Sequence, residues 1–201
     1  MTASTRDQFI AVAERRFAER GFYGASIAAI ATELGLTKQA LLHHFGSKEK
    51  LYGEVLRRIS DELNAQIRRI ADAGTDPAQQ LEEMVVAQYR AQIADQDRAR
   101  LIMRELLDNE QRAAKAGSWY LRPYLERLVD TVRALAPGHA PQRGEALALV
   151  YQLLGAAHYF AVSQPTLQEM FGQDWLHETR ECFEMELRTL VRARLQEVAR
   201  R

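Results

Sequence analysis

Hydrophobic positions recur at helical spacing over almost the whole chain, and no stretch alternates as a strand would. Phe9, Ala13, Phe17 and Phe22 give a first helix an aromatic stripe. Ile27, Ile30, Ala31 and Leu34 supply the inner face of a second, short helix; Leu41 and Phe45, four apart, supply that of a third. Gly21 and Gly24 flank Phe22-Tyr23, and Gly35 and Gly46 isolate the third helix. A longer helix is predicted from about Lys48 to Asp72. Further helices follow at about Pro77–Ile93, Arg98–Ala116, Ser118–Ala136, Arg143–Ser163 and Asp174–Arg200. Pro137-Gly138, Pro141, Pro165 and Gly172 mark the later joints. The pattern predicts an all-α chain: a head of three short helices over residues 1–50, a linking helix over about 48–72, and a larger helical body over 51–201.

The segment from Ser26 to Phe45 is the most informative. Ser26 can cap the second helix and Thr37 the third. Gly35 stands where a left-handed residue lets the chain turn sharply between them. Two helices crossing this closely need a small residue at the crossing, and Ala31 supplies it. Ala31, Gly35 four later and Leu41 six beyond have the spacing of a helix-turn-helix. The outer face of the third helix then carries Lys38, Gln39, Leu42 and His43, groups suited to phosphates and base edges in a major groove. Taken alone, the spacing fits a helical hairpin with a solvated polar face equally well.

Charge adds a little. The chain of 201 residues has 27 basic and 27 acidic residues, which argues against a protein that coats nucleic acid without specificity. The first 60 residues carry nine Lys/Arg and six Asp/Glu, a mildly basic head on a mildly acidic body. The single cysteine, Cys182, rules out an internal disulfide. The start of the chain, Met1–Phe9, is polar. The longest apolar run, Leu153–Val162, is interrupted by His158 and falls short of the roughly 18 residues a membrane span needs. A cytoplasmic protein without membrane segments is expected.

With the flanking residues added, the head resembles the tetracycline-repressor (TetR/AcrR) family of bacterial transcription regulators. The resemblance rests on Phe17-Ala18-Glu19-Arg20-Gly21-Phe22, Ser26-Ile27-Ala28-Ala29-Ile30-Ala31, Gly35-Leu36-Thr37-Lys38-Gln39-Ala40-Leu41 and His44-Phe45-Gly46-Ser47-Lys48-Glu49-Lys50-Leu51, within residues 6–60. It implies a helix-turn-helix DNA-binding domain followed by an effector-binding and dimerisation domain. It also implies a homodimeric repressor on double-stranded operator DNA, released by a small-molecule effector. Ser26 would contact a phosphate, Thr37, Lys38 and Gln39 would open the recognition helix, and His43 and Lys48 would contact phosphate or bases. One position departs from the family. The tyrosine usual before His43 is here Leu42, which has no hydroxyl for a phosphate but can meet a thymine methyl. His44 fits either a DNA contact or a ring packed against the preceding helix.

In the body, Leu121, Leu125, Leu128, Val132 and Leu135 form a core stripe, with Trp119, Tyr120 and Tyr124 beside it. Met84 with Gln88, Met103 with Leu107, and Tyr151 with His158 on the stripe of Leu147 and Leu154 share faces of their helices. Apolar walls with a few polar tips are what small-molecule sites look like. Met84, Gln88, Met103, Leu107, Trp119, Tyr120, Tyr124, Tyr151 and His158 are therefore the candidate effector residues. Taken one at a time, each also fits an ordinary core. The last two long helices are apolar on more than one face, which calls for a partner. Leu149, Leu153 and Phe160 on one, with Phe183, Leu187 and Leu190 on the other, are the candidate dimer interface, where the family forms a four-helix bundle.

An enzyme is disfavoured. The chain has no His-Glu-x-x-His, no Gly-rich phosphate loop and no paired metal-ligand cluster, and the adjacent His43 and His44 diverge on a helix. No cofactor or metal is expected. The competing classes are a helical enzyme, or an adaptor that binds another protein through Arg98, Arg100 and Arg104, each with a hairpin that merely imitates the motif.

Overall fold

The computed structural model describes residues 4–107, 120–136 and 138–199, and among them every regular element is a helix. These are α1 (Thr5–Gly24), α2 (Ile27–Glu33), α3 (Lys38–Phe45), α4 (Lys48–Ala71), α5 (Pro77–Ala94), α6 (Gln96–Leu107), α7 (Arg122–Ala134), α8 (Arg143–Phe171) and α9 (Gln173–Ala199). The all-α expectation holds.

The chain divides into two compact units. The first runs to Glu62 and resumes from Asp97 to Leu121; the second is Leu63–Gln96 with the chain from Arg122 onward. Packing thus divides the chain within α4 and returns α6 to the head, which a boundary at residue 50 does not anticipate.

In the first unit the core is Phe9, Ala13, Phe17, Ile30, Ala31, Leu41, Leu51, Val55 and Ile59, all removed from solvent. Tyr52 stands edge-on to Phe17, with ring centroids 4.8 Å apart. α6 is tied in by charge. Arg98 donates from Nε to Glu14 of α1 at 2.7 Å and from Nη1 to Glu62 of α4 at 2.5 Å, while the Tyr52 hydroxyl donates to Glu105 at 3.0 Å.

In the second unit α5, α7, α8 and α9 pack around Leu81, Val85, Leu128, Val132, Leu153, Ala157 and Val191. Phe160 and Phe183 stack with centroids 4.1 Å apart, and Tyr89 lies on Phe183 at 5.0 Å. Arg188 and Arg192 of α9 both donate to Glu82 of α5, at 2.8 and 2.7 Å, which holds that carboxyl below its ordinary pKa.

Three helix ends differ from the sequence pattern. α6 is described to Leu107, so the rest of the predicted Arg98–Ala116 helix lies outside the described residues. α7 starts at Arg122, after a turn at Tyr120-Leu121. α8 continues through Pro165 to Phe171, where a break at Ser163 was expected. A proline removes one N–H from the helical ladder, and here its ring sits on the exposed side of the helix; the joint falls instead at Gly172, with φ +86°. By length and composition alone α8 could cross a membrane, but half of its apolar window is buried in the second unit, as in a core helix.

Candidate DNA-binding site

The helix-turn-helix is built from its caps. The Ser26 hydroxyl accepts from the Ala29 N–H at 3.4 Å, and the Thr37 hydroxyl from the Ala40 N–H at 3.1 Å, so each helix has a fixed start. Between them Gly35 has φ +68°, and the Leu36 N–H closes back onto the Ala31 carbonyl at 2.9 Å. That left-handed residue is the sharp turn. Ala31 and Leu41, both fully buried, form the crossing. The Arg16 Nε donates to Glu33 at 2.8 Å, and Arg15 also pairs with it, so the acid at the end of α2 is neutralised from α1.

The result is a two-turn helix, α3, that carries no acid and presents Lys38, Gln39 and His43 to solvent beside its cap Thr37. Ser26 is also exposed. Leu42 is half-buried, so the absence of the usual tyrosine leaves only part of an apolar side chain at the surface. His44 remains exposed but stands 5.7 Å from the Phe9 ring of α1, so it packs on the first helix rather than on α2, which precedes its own.

Lys48 is held more closely than expected. Its Nζ lies 4.8 Å over the Phe22 ring and 3.4 Å from the Tyr23 carbonyl oxygen, and partial burial pulls its pKa down. Phe22 and Tyr23 follow the break in α1 at Gly21, where φ is +67°. The tie between Lys48 and this loop is a feature that sequence spacing alone does not reveal.

The candidate effector residues separate. In the second unit Met84, Gln88, Tyr124 and His158 are all buried, whereas Tyr151 is 50% exposed. In the first unit Met103 is half-buried, Leu107 is 72% exposed and Tyr120 is half-buried, its backbone carbonyl accepting from Ser60 at 2.5 Å. Tyr151 and Leu107 therefore do not line the interior of their units; each stands at a position the sequence stripe placed inward but the packing leaves open. Trp119 lies outside the described residues. His158 bonds Gln92 of α5, a buried polar neighbour that the stripes did not single out. A separate cleft of about 540 Å³ in the second unit is lined by His139, Gln142, Glu145, Gln152 and Arg194 with apolar neighbours, and none of the candidate effector residues lines it.

The candidate interface residues separate as well. Leu149, Leu153, Phe160 and Leu187 are buried in their own chain, and Phe183 is half-buried against Phe160 and Tyr89. Leu149, Leu153, Phe160 and Leu187 fill the core of the second unit, and Phe183 packs beside them. Of the six, Leu190 alone is substantially exposed, at 42%. The large apolar side chains that α8 and α9 leave open are Leu147, Tyr151, Tyr159, Met170, Phe171, Trp175 and Met185, with Leu190. Both faces of these helices read as apolar in sequence, and only the packing shows which one the chain itself covers.

Residues 9–55 match the family described as Bacterial regulatory proteins, tetR family. The HTH-type transcriptional repressor KstR2 of Mycolicibacterium smegmatis is 36% identical over 89 residues, 44% of this chain and 43% of that protein. The HTH-type transcriptional activator FasR of the same species is 37% identical over 82 residues, 41% of this chain and 37% of that protein. The match thus spans less than half the length of these curated relatives. Beyond the head, the fold is similar to that of the fatty acid degradation regulator FadR from Bacillus halodurans, at 19% identity with a TM-score of 0.68 over 96% of this chain and 97% of that one. The capped helices, the left-handed Gly35 and the acid-free face of α3 occupy the stretch that the family match covers. Through residues 9–55, the chain is similar to the tetR family of bacterial regulatory proteins.

Proposed function

We propose that the chain is a cytoplasmic, sequence-specific transcription regulator, a dimeric repressor that a small-molecule effector releases from its operator. The observation that carries the reading is the exposed face of α3. Thr37, Lys38, Gln39 and His43 project from a short helix whose start is fixed by a cap and whose charge is not cancelled by any acid of its own. Lysine and glutamine at such positions suit the purine edges of the major groove, and a helix so held keeps their register.

Dimerisation supplies the second half-site. Its proposed surface is the open face of α8 and α9, centred on Tyr159, Trp175 and Met185, rather than the buried leucines. Two half-sites one turn of the groove apart require two copies of α3 about 34–36 Å apart. The effector site is proposed within the second unit, among Met84, Gln88, Tyr124 and His158. Release as the direction of control rests on the family's usual logic. The head is alike in a repressor and an activator, so it does not decide the sign.

The test is selection of binding sites by the full chain from a random duplex pool, followed by fluorescence anisotropy on the enriched site. The reading predicts a palindromic consensus, a steep loss of affinity with salt, and loss of consensus on Lys38→Ala with Gln39→Ala. Enrichment of no sequence would overturn it.

A further inference from the structure

One buried side-chain cluster in the second unit is not satisfied by the protein itself. His158 of α8 has its Nδ1 2.8 Å from the Leu154 carbonyl oxygen. A carbonyl oxygen only accepts, so Nδ1 carries the hydrogen. Burial pushes the ring's pKa down, in keeping with a neutral imidazole. In that tautomer Nε2 is bare and accepts, and the Gln92 Nε2 that lies 2.8 Å away must donate to it. The amide of Gln92 is thereby oriented, and its carbonyl Oε1 is turned away from the ring, buried and without a hydrogen-bond partner. One turn earlier on the same face of α5, the Gln88 Oε1 is buried and without a partner too. The hydroxyl of Tyr124, on α7 packed against α5 and α8, is in the same condition. Buried polar groups in folded proteins are satisfied almost without exception, by protein, water or ligand.

We propose that this cluster is the polar end of the effector site and that it selects an uncharged effector bearing a hydroxyl or N–H group, which donates to Gln92 Oε1. The inference rests on the reading of the second unit as effector-binding. The two amide carbonyls present lone pairs, so a ligand ketone or carboxylate brought there would set acceptor against acceptor. A hydroxyl donates to Gln92 and still accepts from Tyr124, whose phenol can turn to either role. Met84, Leu128 and Leu154, all buried, supply apolar surroundings on the same three helices.

The experiment is isothermal titration calorimetry of the full chain with matched probes on two skeletons. One set is decan-1-ol, decan-2-one and decanoate; the other is testosterone and androstenedione, which differ by a hydroxyl against a ketone. The expected result on at least one skeleton is an alcohol bound about tenfold tighter than its ketone, roughly what one added hydrogen bond contributes. The same preference disappears in Gln92→Met, whereas Tyr124→Phe, a change that removes only an oxygen, weakens alcohol and ketone together. Equal affinity for alcohol and ketone, tighter binding of decanoate, or binding of no alcohol overturns the donor assignment; in the first case water satisfies the glutamines. An alcohol preference that persists in Gln92→Met puts the ligand elsewhere and overturns the underlying placement of the site.

Discussion

Lys48→Met separates two roles that converge on one side chain. The amine lies over Phe22 and against the Tyr23 carbonyl, and it stands at the first position of α4, next to the recognition helix. If it also contacts a phosphate, its loss removes one released counterion per subunit, about 0.9 in the slope of log affinity against log salt, or about 1.8 for a dimer. Between 50 and 200 mM salt, that slope alone is worth roughly 12-fold in affinity. The tie to Phe22 contributes about 0.5–1 kcal/mol of stability at a site this exposed. Anisotropy on the selected duplex across a salt series measures the first quantity, and urea unfolding measures the second. The expected variant binds more weakly to all sequences, with a shallower salt slope and an unchanged consensus. A variant that loses stability but keeps the parental slope would show that Lys48 only pins the loop, and the phosphate assignment would fall.

Thr37→Ala removes the cap of α3 and should cost about 1 kcal/mol by urea unfolding, with operator affinity falling alongside; Thr37→Asn should restore both. Tyr159→Arg should shift the dimer to monomer in size-exclusion chromatography with light scattering, whereas Leu153→Ala should destabilise by about 2–5 kcal/mol without a comparable shift. The reverse pattern would reinstate the buried leucines as the interface. Burial holds the folded-state pKa of His158 below its ordinary 6.5, so the unfolded chain takes up the proton first as pH falls. The stability this contributes is complete above that value and is lost below it. Thermal unfolding from pH 8 to 5 should show a steeper fall for the parent than for His158→Gln.

The head was legible because its determinants are local. Ser26, Gly35 and Thr37 act on N–H groups and dihedrals within a few residues of themselves, so spacing along the chain is almost spacing in the fold. The body was legible as helices but not as faces. Leu149 and Leu153 look as available to a partner as Tyr159 does until α5, α7 and α9 close over them. Pro165 signals a break in sequence, but on the open side of α8 the helix passes through it. Gln92 carried no signal of its own. Its part comes from a nitrogen on α8 that lies 66 residues away in sequence.

The most direct test of the account is the selection from random duplexes performed in parallel with the parent and with the Lys38→Ala, Gln39→Ala double variant. The account predicts that the parent enriches an inverted repeat with half-sites about 10 base pairs apart centre to centre. The variant, folded to the same stability, should lose preference at particular base pairs of each half-site while keeping its non-specific, salt-dependent affinity. The same consensus from both proteins would show that α3 does not read the sequence, and would contradict the central claim.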